Sequence, residues 1–197
     1  MDIKLRIARI ALASALPWLT AAPAFAAAKP PSDIARATYT AKLVDASVVV
    51  PYLTSLPVTV KLNRLTSVTE ALQLDRLLAE RGASALHDAL SEQTLGQIEI
   101  DGGIGDPIRF ARRFRDRDGE HLVLVAQRPT SAESTSGAWP AQRYPYLIVT
   151  LDLTAEGLGS GELIAAARFR TRKDGRIELD NPGFLASRLL AVRELGS

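Results

Sequence analysis

Cysteine is missing from all 197 residues, which excludes disulfide scaffolds, Cys-ligated zinc, iron–sulfur clusters and thiol nucleophiles. Histidine occurs only twice, at His87 and His121, the first places to look for a general base or a metal ligand. Neither belongs to an H-x-x-H, H-E-x-x-H or G-x-S-x-G arrangement, so no metal site is expected from spacing. Aromatic residues make up only 6% of the chain, and no aromatic–basic stacking pattern accompanies the arginines, which argues against a nucleic-acid partner. No apolar run reaches the roughly 20 residues that a membrane-spanning helix needs. What the chain does have is apolar residues, 47%, beside a charged fraction of 23%, which is not the composition of a disordered polypeptide. Its length suits one domain.

The N-terminus has the form of an export signal. Lys4, Arg6 and Arg9 form a positive segment, the apolar stretch from Ile10 follows, and Ala24-Phe25-Ala26 has the A-x-A form of a cleavage site. Pro17 and Pro23 interrupt the apolar stretch, and no Cys follows it, so neither a transmembrane nor a lipid anchor is expected. Cleavage is expected after Ala26, with Ala27 or Ala28 as the next choices. The expected organisation is a signal peptide over 1–26, a disordered leader over 27–37 and a single domain over 38–197, located in the periplasm or secreted. Lys4, Arg6 and Arg9 against Asp2 account for the whole formal charge of +2. The remaining chain is formally neutral, so its basic balance names no acidic partner.

Strand signals dominate beyond that point. Residues 39–50 are rich in β-branched side chains, and 57–62 alternates apolar and polar residues. Ser67-x-x-Glu70 has the capping-box form and opens an apolar stripe through Leu74, Leu77 and Leu78 that Gly82 ends. A second helix fits 84–93. Strands are then expected at 97–100, 108–114, 121–126, 146–153, 162–171, 176–180 and 187–192, with a long polar loop over 131–143. The expected fold is α+β: a curved or sandwich-like antiparallel sheet with a two-helix hairpin packed on one side.

Several clusters carry possible chemistry. Asp101…Asp106, Asp116-x-Asp118-Gly119-Glu120 and Asp174-Gly175 are acidic turns, but none has EF-hand spacing, and hairpin geometry already explains Asp-Gly. Gly157 to Gly161 lacks the Lys-Ser/Thr and helix of a phosphate loop and is expected to be a flexible hairpin connection. Alternation places Arg109, Arg113, Arg115 and Arg117 on one strand face, and Arg168, Arg170 and Arg172 on another. If the two faces adjoin they suit carboxylates or phosphates; if each faces carboxylates across strands they are solvated surface. Arg128, Trp139, Arg143 and Tyr144 flank or lie in the long polar loop and are candidates for the lip of a cleft.

Several segments in order resemble a family of exported bacterial proteins of unknown function. They are Glu70…Leu77-Leu78…Gly82…Ala85-Leu86…Ala89-Leu90, Gly96-Gln97-Ile98, Ile108-Arg109-Phe110-Ala111, Gln127-Arg128-Pro129, Tyr144-Pro145-Tyr146-Leu147-Ile148, Gly161-Glu162-Leu163 and Ile177-Glu178-Leu179-Asp180-Asn181. The resemblance runs from Leu56 to about Glu194 and implies export and a single α+β domain, but no catalytic residue. Gln127 and Pro182 depart from its pattern, which there carries Asp and an aromatic residue. The sequence thus points to a non-enzymatic domain without cofactor that binds a partner protein or small anionic ligand. Two alternatives stay open. One is a periplasmic hydrolase with Asp101, Asp106 or Asp118 near His121; the other is an assembly scaffold offering a free sheet edge near residues 39–50.

Overall fold

The structure, a computed structural model, describes residues 36–44, 55–116, 119–127, 144–171, 177–180 and 186–195. Nine strands and one helical element follow in order: β1 (Ala37–Val44), β2 (Leu56–Leu62), α1 (Val68–Ser91), β3 (Gly96–Ile100), β4 (Asp106–Arg115), β5 (Glu120–Gln127), β6 (Tyr146–Leu153), β7 (Leu158–Thr171), β8 (Ile177–Asp180) and β9 (Ser187–Leu195). All pairings are antiparallel. Strands β1 to β7 pair in chain order, β9 pairs with β7, and β9 returns to β1. Eight strands therefore close into a barrel, while β8 pairs with the far end of β7.

This corrects the expected curved or sandwich-like sheet. Alternation predicts a strand with one buried face, but that signal is the same in an open sheet and a barrel. Closure comes from curvature. Register shifts fall at Thr40/Lys42, Ile108/Phe110, Tyr146/Ile148 and Gly159/Gly161, and each adds local bend and twist. The glycines near the last shift let strands meet closely. A Cβ on Gly159 would lie 1.8 Å from the Asp152 carbonyl oxygen, and one on Gly161 would lie 2.2 Å from that of Thr150. Of the connection expected at 157–161, Leu158 to Gly161 open β7, and Gly157 sits in the β6–β7 turn, its amide donating to the Thr154 carbonyl (3.0 Å). Closure also removes the free edge expected from Tyr39 onward: β1 is paired on both sides, and residues 45–50 lie outside the described residues.

The barrel interior is filled. Tyr39, Ile98, Ile108, Leu122, Leu124, Leu147, Leu151 and Leu189 are fully buried there and form one apolar cluster with neighbours from all eight strands. The outer face of β1 to β3 and β9 carries Lys42, Lys61, Glu99, Arg188 and Arg193. An apolar inside and a charged outside invert the pattern of a lipid-embedded barrel. Among the described residues no helix is long and apolar enough to cross a membrane.

The capping box at Ser67 forms as its sequence predicts. The Glu70 amide donates to Ser67 Oγ (3.2 Å) and the Ser67 amide to Glu70 Oε2 (2.7 Å). Burial opposes ionisation of Glu70, but these bonds and the Arg64 charge outweigh it and hold its carboxyl below the ordinary value. The expected pair of helices is corrected to one element, because no loop separates the two segments. Only Gly82 leaves helical geometry, at φ 82° and ψ −174°, a conformation that side-chain-bearing residues resist. The element bends there, and Arg64 holds both Glu70 (3.0 Å) and Gln93 (3.2 Å). Leu78, Leu86 and Leu90 cover the outer face of the barrel at Val125, Tyr146, Ile148, Ile164 and Ala167, making a second apolar core.

Candidate functional site: a barrel with unlike ends

The connections sort by end. The β1–β2, β3–β4, β5–β6 and β7–β8–β9 connections leave the upper end, whereas the turns from Asp116 to Gly119 and over 154–157 close the lower end. A polar cluster sits at the lower end. Arg113 points inward, its Nε 3.0 Å from Glu120 Oε1, one Nη donating to the Tyr39 hydroxyl (2.5 Å) and lying 3.9 Å from Glu194 Oε1. Burial pushes the Tyr39 phenol up to about 12, against the pull of the Arg113 charge. Glu120 also accepts from Arg115 (2.8 Å). The barrel floor is thus a guanidinium neutralised by carboxylates, in which the remaining partners would be stranded if one were removed.

Arg109 and Arg113 do not share a face as alternation predicts. The register shift between Ile108 and Phe110 resets parity: Arg113 turns inward, while Arg109 leaves the barrel to donate to the Gln93 carbonyl and Thr94 Oγ1. Arg168 and Arg170 both donate to Asp180 Oδ2, at 2.8 Å and 3.2 Å, and the Arg168 guanidinium lies 5.0 Å from the Tyr144 ring centroid. Strands β4 and β7 are separated by β5 and β6, so the two arginine groups do not form one surface. Arg128, Trp139 and Arg143 lie outside the described residues, as do Arg117, Asp118 and Arg172.

His121 is held by two carboxylates other than those expected. Its Nδ1 lies 2.6 Å from Asp152 and its Nε2 3.2 Å from Asp116. Asp101 and Asp106 sit at the opposite end of β4. The bond to Asp152 is the chief cause that raises the imidazole above its ordinary value, followed by burial, which opposes it, and then the contact with Asp116. The Nδ1 contact is an aligned hydrogen bond, whereas Nε2, though 3.2 Å from Asp116, makes none and is shielded from solvent. His87 lies in the seam between helix and barrel, where its Nε2 accepts from Gln127 (3.0 Å) and its ring lies 6.0 Å from that of Tyr146. Gln127, buried, also donates to Ser91 Oγ (2.8 Å). Among the described residues, no group of three His, Asp or Glu side chains is placed to hold a metal.

The upper end differs in kind. Ala41, Leu43, Ile100 and Ala165 pack on the interior cluster but are only partly buried. Leu56, opposite Leu43, is 36% exposed, and Ile104 in the adjoining connection is 100% exposed. Sequence reasoning missed this rim because its signal is a gradient of burial along strands whose alternation looks uniform. The floor was partly legible: Glu120 shares parity with Leu122 and Leu124, and Glu194 with Val192. No family model, curated protein or solved structure matches this chain.

Proposed function

We propose that the chain is an exported, non-enzymatic binding protein that takes an aliphatic ligand at the upper end of its barrel. The contrast between the two ends among the described residues carries this reading: a polar, charge-paired floor below, and an aliphatic rim above that is only partly buried. Ala41, Leu43, Leu56, Ile100 and Ala165 offer neither a ring for stacking nor a charge for pairing, so alkyl chains fit and aromatic or ionic ligands gain little. An anionic ligand would have to displace the internal partners of Arg109, Arg113, Arg168 and Arg170. An enzyme would need a free base, and His121 has its Nδ1 bonded to Asp152 and its Nε2 shielded from solvent. Export rests on the charged, apolar and A-x-A segments of residues 1–26 and on the resemblance to an exported family.

The test is equilibrium titration with a fluorescent fatty-acyl probe. Saturable binding is expected, and Leu43→Lys should weaken it by at least about tenfold, because a buried ammonium opposes an alkyl chain. Arg115→Ala, at the opposite end of the barrel, should leave it unchanged. Failure of the unaltered protein to bind, or equal binding by Leu43→Lys, overturns the proposal.

A further inference from the structure

Helix α1 packs on the outer face of β5, β6 and β7, but the outer face of β9 and β1 turns to solvent. Register defines what stands on that bare wall. The β9 residues paired with the outward Thr38, Thr40, Lys42 and Val44 are Leu195, Arg193, Leu190 and Arg188. Strict alternation from Leu190 would send Val192 outward and Arg193 inward. The bulge at Ala191, where φ is 51°, inserts one residue and turns Arg193 and Leu195 out instead. Leu158 of β7 stands opposite Arg193 on the same face.

Leu158, Leu190 and Leu195 are 49%, 44% and 46% exposed on this stripe. Lys42, Arg188 and Arg193 are exposed as well, and their side chains make no hydrogen bond or ion pair among the described residues. Acids are few here. Glu162 stands opposite Arg188, Glu99 is held by Lys61 (2.8 Å), and Glu194 turns inward to Arg113. Asp152, bonded to His121, and Glu156, in the turn before Leu158, border the stripe on the β6 side. Lys42 and Arg193 are left without an opposing acid.

The shape of the wall selects the partner. Strands β1 and β9 are each paired on both sides, so neither has an edge for an added strand. The outside of a barrel is convex and offers no groove to a peptide. Each exposed leucine has a cation beside it: Lys42 opposite Leu190, and Arg193 opposite Leu158 and two positions from Leu195. Protein interfaces keep charge out of their centres, so this interleaving does not suit one. A lipid headgroup layer accepts it, because leucines reach the acyl boundary while basic side chains lie along them and meet phosphates.

We propose that the stripe along β9 is a docking surface for an anionic lipid bilayer, on which the barrel lies by its side without spanning it. From Arg188 to Leu195 the contact line is about 20 Å long at the usual rise of a strand. The proposal is independent of what binds at the upper end.

The test mixes the full chain with bicelles that carry an anionic phospholipid and a nitroxide-labelled lipid, and follows methyl resonances. Those of Leu158, Leu190 and Leu195 should broaden, while those of Val68 and Leu72, more exposed but on α1, stay sharp. The broadening should fade with added salt and in zwitterionic bicelles. Arg193→Ala should weaken affinity by about fivefold, the worth of one basic side chain at such a surface. Lys42→Glu with Arg193→Glu should abolish the broadening. Arg76→Glu with Arg81→Glu, the same change of net charge placed on α1, should leave it intact. Equal broadening of Val68 and Leu72, as adsorption through Lys4, Arg6 and Arg9 would give, overturns the proposal. Equal loss in both charge-reversed pairs, no broadening at all, or self-association that shields these leucines from the nitroxide overturns it too.

Discussion

Replacing Gly161 with alanine should destabilise the protein severely, although alanine is the smallest possible change. The backbone at Gly161 does not have a positive φ, so no conformational strain enters. The cost is steric. The added Cβ would lie 2.2 Å from the Thr150 carbonyl oxygen and 2.9 Å from Leu151 Cδ2, across the β6–β7 pairing. Relieving the backbone contact requires a shift of roughly 1 Å, which stretches the flanking interstrand bonds beyond hydrogen-bonding length. Two such bonds at about 1 kcal/mol each, with overpacking of about 1–3 kcal/mol, give a loss of roughly 3–5 kcal/mol. The lower entropy of an unfolded alanine chain returns less than about 1 kcal/mol. Gly159→Ala, whose Cβ would meet the Asp152 carbonyl at 1.8 Å, should cost as much. Gly103→Ala is the control, since its nearest contact is 3.2 Å. Urea denaturation followed by circular dichroism measures all three. If Gly161→Ala and Gly159→Ala keep the unaltered midpoint, the close β6–β7 approach that helps bend the sheet into a ring is wrong.

Three other outcomes are expected. Ala191 holds φ 51° in the bulge of β9, so Ala191→Gly should raise stability by about 0.5–1 kcal/mol by relieving left-handed strain, measurable in the same denaturation series. The Tyr39 phenol is held up at about 12 in the fold against 10.0 in the open chain, so its contribution is present below pH 10 and is lost as pH rises through 12. About 2–3 kcal/mol should disappear across that window, with phenolate absorbance from Tyr39 appearing only as the protein unfolds, and Tyr39→Phe should remove the effect. Ser67→Ala removes one half of the capping box and should cost about 1 kcal/mol in thermal or urea unfolding, with a smaller loss on acidification because Glu70 then has less depression to lose.

Secondary structure was legible because its signals are local. The period-2 alternation of residues 57–62 appears as β2, 146–153 is β6 residue for residue, and Ser67-x-x-Glu70 caps α1 as written. Closure was not legible, since it depends on bulges, and the shift at Ile108/Phe110 cannot be read from apolar pattern alone. The same shift decided the arginines: a single inserted residue sent Arg113 inward and Arg109 outward, and so removed the face that alternation had assembled. His121 was singled out from its residue type, but its contacts with Asp152 and Asp116 were not foreseen, and Asp118 lies outside the described residues. Asp152 lies 31 positions away and meets His121 only through the register of β5 on β6. Partner choice across strands is a property of register, which the sequence encodes only through the summed packing of both faces.

The most direct test of the binding account is a methyl spectrum of the isotope-labelled protein during titration with a saturated fatty acid. Leu43, Leu56 and Ile100 methyls at the upper rim should shift and saturate together, while Leu153 and Val192, deeper and nearer the floor, should remain in place. Shifts confined to the floor, or no shift at any rim methyl up to the solubility limit of the fatty acid, would contradict it.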